Sequence, residues 1–160
     1  MTKIFGLPAH PLFVHGPIVL LPILAVVTIV AAVRPAVRRT LGVWLPSATF
    51  VLFVMILAAM NTGEALDRAI DLGTAVKHAR LARTTRLLTF LLLLATGALW
   101  AVGRRVDRAP VDQAAPSRRS PVLLGCAAAA VVLSALSTVW VVRTGHEGAR
   151  IHWDGVIKQK

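Results

Sequence analysis

The residues of this chain best able to do chemistry are five histidines: His10, His15, His78, His146 and His152. A neutral imidazole ligates haem iron and divalent transition metals, so histidines brought together from different elements can hold either kind of group. No two of them stand four residues apart, the spacing that places a metal pair on one helix face; His10 and His15 are five apart, His146 and His152 six apart. A shared site must therefore be assembled by folding. His15, His78 and His146 come from three separate stretches and are the leading candidate ligands for haem b or for a metal such as Zn²⁺ or Cu²⁺. His10 and Glu64 stand second. No HExxH, GxSxG, P-loop or Rossmann string is present, and Ser134 and Ser137 lie in an apolar run without a nearby base. No catalytic residue is assigned, and the balance is against an enzyme. Cys126 is the only cysteine, which rules out an intrachain disulfide or a CxxC motif and suits a small packing residue.

The elements that must position these histidines are set by hydropathy. Hydrophobic residues make up 56% of the chain and charged residues 16%, at a mean hydropathy of +0.71. Four runs contain no Asp, Glu, Lys or Arg: 11–33, 41–63, 87–103 and 121–142. A helix needs about 20 apolar residues to cross a hydrocarbon core of about 30 Å. The reading is an all-α, integral membrane four-helix bundle forming a single transmembrane domain over 1–160, with spans at about 11–33, 41–62, 84–104 and 121–143. Barrel strands alternate over about ten residues and do not produce unbroken apolar runs. The first run is long and followed by Arg34, Arg38 and Arg39, so it is read as a retained span and not a cleaved leader.

Charge sets the orientation. The net charge of +11 comes from 18 Lys and Arg set mainly in the loops and tails, where membrane topology and anionic headgroups account for them; no stacking platform or nucleic-acid motif accompanies them, and nucleic acid is not a partner. The loop at 34–40 holds three arginines, and the loop at 104–120 holds Arg104, Arg105, Arg108, Arg118 and Arg119. The positive-inside rule places both in the cytoplasm, which puts both termini on the outer face of the inner (plasma) membrane. The loop between spans two and three is basic too, but less densely so. Trp44, Trp100, Trp140 and Trp153 fall near span ends, as interfacial indoles do. All five histidines, with Glu64 and Glu147, then share one extracytoplasmic face.

Local signals refine this outline. Pro17 and Pro22 inside the first span each remove a backbone donor, which predicts a kinked first helix with His15 at its mouth, either as a ligand or as a polar residue at a capped interface. Between 61 and 86 the chain reads as a short surface helix, a break at Gly73 and a helix N-capped by Thr74. At 100° per residue, Lys77, Arg80, Arg83 and Arg86 take one half of that helix and turn His78 towards the bundle. The fourth span is rich in small residues, among them Gly125, Ala127 to Ala130, Ser134, Ala135 and Ser137, which predicts a central helix. Thr62-Gly63-Glu64 and Thr144-Gly145-His146-Glu147 read as two helix ends, or as traces of a duplicated hairpin. The Arg-, Pro- and Ala-rich stretch 104–120 reads as a flexible cytoplasmic linker.

The string Gly6-Leu7-Pro8-Ala9-His10-Pro11-Leu12-Phe13-Val14-His15-Gly16-Pro17-Ile18 resembles the opening of a bacterial membrane family, domain of unknown function 2231. Members show His-Pro, two or three residues, then Val-His-Phe-Pro-Ile, a histidine before the third helix, as His78 is here, and a Thr-Gly-His ending like Thr144-Gly145-His146. Gly16 replaces the usual Phe, which leaves a smaller and more open contact beside His15. The resemblance implies a four-helix membrane protein without an established activity. Some relatives are joined to Rieske-type or cytochrome c-like domains, which points towards respiratory electron transfer; this chain has no Cys-x-x-Cys-His and no such appended domain.

Two functions from different classes follow. One is a haem b or metal site on the outer face, serving electron transfer with a redox or respiratory membrane partner. The other is a non-catalytic accessory or scaffold subunit of a membrane complex, its histidines bracing the outer loops. An ion carrier is weaker than either, because the four spans lack ionisable groups at their midplane.

Overall fold

The computed structural model describes residues 3–4, 7–70, 76–108 and 120–157. A short antiparallel pairing of β1 (Lys3–Ile4) with β2 (Leu7–Pro8), in the register Lys3 to Pro8 and Ile4 to Leu7, leads into α1 (Ala9–Val33). Then come α2 (Pro35–Leu41), α3 (Trp44–Ile70), α4 (Val76–Asp107) and α5 (Pro121–Ile157). Four of these five helices, α1, α3, α4 and α5, are long and apolar enough to cross a membrane.

Each long helix packs chiefly on two neighbours, in the cyclic order α1, α3, α4, α5. Consecutive long helices are antiparallel, as the contacts at the two ends show. The ring of His10 lies against Gly63 and that of His78 against Gly148 at one end, while Arg38 lies against Gly103 at the other. The bundle therefore has a histidine end and an arginine end. The expectation of a central fourth helix is not met: α5 is one corner of the ring. Its Ala130, Ser134, Ser137 and Val141 face inward, whereas Gly125, Ala128, Ala129 and Ala135 are exposed. Small residues permit close approach but do not decide which face is approached.

The bundle buries hydroxyls and exposes hydrocarbon, the inverse of a water-soluble bundle. Thr28, Thr49, Thr89, Thr96, Ser134 and Ser137 are wholly buried, while Val19, Ile23, Val26, Phe50, Val54 and Leu94 are exposed. In lipid there is no hydrophobic drive to hide a Val, and polar side chains are best kept inside, where they can bond to the helix backbone. Thr49 does so to the Leu45 carbonyl at 2.8 Å and Thr89 to that of Thr85 at 2.9 Å. Two apolar clusters complete the interior: Leu21, Leu52, Ile56 and Val141 in one, Ala32, Ala95, Leu99, Leu123 and Ala130 in the other.

Local readings fare unevenly. Pro17 and Pro22 do lie inside α1, and the helix continues on both sides of each, so the carbonyls of Phe13 and Ile18 lose their usual donors without the element ending. The first loop is not plain loop: 35–41 forms α2, with Pro35 in its first turn and Gly42 at φ +51° turning the chain into α3. The two Thr-Gly strings do not end their helices, since α3 continues through Gly63 to Ile70 and α5 through Gly145 to Ile157. A helical glycine costs only about 1 kcal/mol, which tight packing readily offsets. No separate surface helix follows 61, because α3 continues there; the break at Gly73 and the cap at Thr74 lie outside the described residues. Of the linker read at 104–120, residues 104–107 instead belong to α4, and 109–119 lie outside the described residues.

Candidate functional site

The histidine end is built where α1 and α3 meet α4 and α5. His10 stands in the first turn of α1 and reaches α3, with its Nδ1 2.9 Å from the Ala59 carbonyl oxygen and 3.5 Å from Thr62 Oγ1. That carbonyl also accepts from the Thr62 hydroxyl at 2.9 Å. Gly63, one turn further along, has no Cβ because none would fit: one placed there would lie 2.9 Å from His10 Cε1. His78 repeats the arrangement between the other two helices. Its Nδ1 lies 3.1 Å from the Thr144 carbonyl oxygen on α5, and a Cβ on Gly148 would come within 3.1 Å of its Cε1. The two imidazoles meet edge to face, with centroids 6.2 Å apart and planes at 86°.

A carbonyl can only accept, so each histidine donates its Nδ1–H to the backbone, and the neutral ring then carries its lone pair on Nε2. Among the described residues neither Nε2 has a hydrogen-bond partner. Further contacts tie α4 to α5. The Thr85 and Thr144 hydroxyls are 3.0 Å apart, and Thr144 also donates to the Trp140 carbonyl at 2.7 Å. Lys77 Nζ donates to Glu147 Oε2 at 2.9 Å, and Arg150 lies 3.5 Å from Oε1. Glu147 is buried while Lys77 is 61% exposed, so the lysine reaches in from the solvent-facing edge.

The candidate ligands separate into two groups. His10 and His78 come together. His15 is exposed on α1, its Nδ1 bonded to the Pro11 carbonyl of its own helix, and His146 is exposed on α5. Glu64 is exposed on α3, and the side chain of His152 lies outside the described residues. Among the described residues no group of three or more His, Cys, Asp or Glu side chains is close enough to hold a metal ion. Helix phase is the reason: His15 is five residues from His10 and therefore points about 140° away around α1, and His146 lies two residues from both Thr144 and Gly148, on the opposite face of α5. Gly16 is not an open contact either, because the methyl of Met55 fills its place.

Sequence reasoning ranked His10 second and passed over Gly63, Gly148 and the Lys77–Glu147 pair. Gly63 and Gly148 fall inside long helices, where the missing side chain lets an imidazole lie against the backbone. Nothing in the residue order separates them from Gly97 or Gly125, which meet no neighbour.

Fold and composition together define a multi-pass α-helical membrane protein, with His10 and His78 packed at one end and Arg38 at the other. The chain belongs to the family described as predicted membrane protein, domain of unknown function 2231 (DUF2231), which it matches over residues 6–160. No curated protein and no solved structure matches it.

Proposed function

We propose that this protein is a non-catalytic accessory or scaffold subunit of a complex in the inner membrane, with the histidine end extracytoplasmic and both termini on that side. One observation carries the reading: the Nδ1 atoms of His10 and His78, the Thr85 hydroxyl and the Lys77 ammonium are all engaged in contacts that join helices. His10 bonds α1 to α3, while His78, Thr85 and Lys77 bond α4 to α5. Such contacts hold the helix ends of one face in a fixed arrangement, as a docking subunit requires. The arginine density of 34–40 and 104–108 supports the orientation. Native electrophoresis of gently solubilised membranes is expected to show the protein in an assembly larger than itself. A solitary species with a Soret band or one bound metal per chain overturns the reading. Tags at the carboxyl terminus and within 109–119 should be accessible from opposite sides of the membrane, and access from one side overturns the orientation.

A second reading, haem b or a transition metal serving electron transfer, is favoured by the tautomers of His10 and His78. Donation of Nδ1–H to a backbone carbonyl is how metal-binding histidines are usually oriented, and both Nε2 lone pairs remain available here. His10 and His78 replace the combination of His15, His78 and His146 as the ligands this reading requires; His15 and His146 enter only if a partner protein supplies the rest of the site. It predicts an absorbance or metal signal lost in His78→Ala, and a colourless, metal-free protein from cells fully supplied with haem and metals defeats it.

A further inference from the structure

We propose that the cavity between α2 and the carboxy-terminal end of α4 binds the phosphate of an anionic phospholipid headgroup. The cavity holds about 370 Å³ and is lined by Arg38, Arg39, Arg104, Arg108, Trp100 and Asp107, among others. Four guanidinium groups thus share one space with one carboxylate. Asp107 is already engaged: Arg38 Nη2 lies 3.3 Å from each of its oxygens. Arg39, Arg104 and Arg108 are exposed and form no salt bridge among the described residues. Like charges held this close favour an anion that can accept several N–H donors at once, and a phosphodiester does so.

Arg38 shows that the site is built into the fold. Its side chain is only 7% exposed, and its Nε has no hydrogen-bond partner among the described residues. It lies flat on α4 because Gly103 has no side chain; a Cβ there would stand 2.7 Å from Nε. A buried guanidinium with an unmet donor is costly, and a bound anion beside it offsets that cost.

The surroundings favour lipid over a soluble anion. The cavity opens where the apolar run 87–103 ends, next to Trp100, over whose ring Arg104 lies at 5.1 Å, and Val43 is exposed at its rim. Trp44, 74% exposed one residue beyond that rim, is a further interfacial anchor. A headgroup held here leaves its acyl chains along the exposed Phe50, Val51 and Val54 of α3 or Leu94 of α4. In the orientation proposed above, on which this step rests, the cavity faces the cytoplasmic leaflet, which is rich in anionic lipid and attracts each nearby basic residue.

The test is native mass spectrometry of the full chain in detergent, titrated with phosphatidylglycerol, phosphatidylcholine or inorganic phosphate. Phosphatidylglycerol should be retained in preference to phosphatidylcholine, and millimolar phosphate should not displace it. Each arginine removed from the cavity should weaken retention about five-fold, so Arg39→Gln/Arg104→Gln/Arg108→Gln should lose about a hundred-fold. Arg80→Gln/Arg83→Gln/Arg86→Gln removes the same charge from exposed positions at the histidine end and should retain the lipid. All six positions are exposed, so both variants should unfold at the wild-type temperature in phosphatidylcholine micelles; Arg104→Gln alone tests the site if the triple variant does not. Equal retention of both lipids, equal loss in the two triple variants, or displacement by phosphate each overturns the proposal, the last by showing a site for a soluble anion.

Discussion

The two ends of the bundle solve the same problem in different ways. At each, a side chain crosses to lie on a glycine of another helix, and polar groups must be satisfied near lipid. The histidine end does it with neutral imidazoles bonded to backbone carbonyls, and the cations paired with its buried Glu147, Lys77 and Arg150, reach solvent. The arginine end buries a permanent cation against Asp107, leaves one of its donors unmet and keeps an open cavity beside it. The lesson is that neutral groups close an interface, while a surplus of fixed charge leaves it waiting for a counter-charge. A His–carbonyl contact satisfies the Nδ1–H within the protein, but an Arg-rich pocket is incomplete without an anion.

Four substitutions sharpen or break this comparison, all read as unfolding free energy in micelles of neutral detergent. Asp107→Ala should cost the most. Stranding a buried cation costs about 3–5 kcal/mol where both partners are fully desolvated, and partial exposure of Asp107 reduces this to about 2 kcal/mol. A loss below that of Lys77→Ala would show that the two ends do not differ in kind. Gly63→Val should come next, at about 1.5 kcal/mol, because the added side chain drives the His10 ring off the Ala59 carbonyl. An unchanged midpoint would mean that the ring does not need the glycine. His78→Phe keeps a flat ring but strips the donor from the Thr144 carbonyl, for about 1 kcal/mol. If it proves neutral, the His–carbonyl bond is not what joins α4 to α5. Lys77→Ala should be smallest, under about 1 kcal/mol and shrinking with added salt, since the lysine is mostly solvated.

Much of the site was visible in the residue order, and what was missed has a common cause. Inward-facing His78 followed from the positions of Lys77, Arg80, Arg83 and Arg86. The separation of His10 from His15 was also available, since five residues is about 140° of helical turn; both could not face the interior of α1. The pairing of His10 with His78 was not available. It depends on how α1 and α4 are rotated about their own axes, which is settled by contacts such as Ile18 against Gly145 and Met55 against Gly16, on helices far apart in the chain. Helix ends were misplaced at Gly63 and Gly145 because a glycine that terminates a helix and one that admits a neighbour look alike until the neighbour is known.

Hydropathy and charge order were enough to establish four long helices, since a chain in hydrocarbon has to satisfy its backbone within each span. They were enough, too, to part the histidines from the densest arginine segments, because alternate turns of an up-and-down chain gather at alternate ends. Packing in three dimensions chose His10 over His15 as the companion of His78 and buried Arg38 on Gly103. Those outcomes turn on the rotation and neighbours of each helix, and single-residue chemistry carries no record of either.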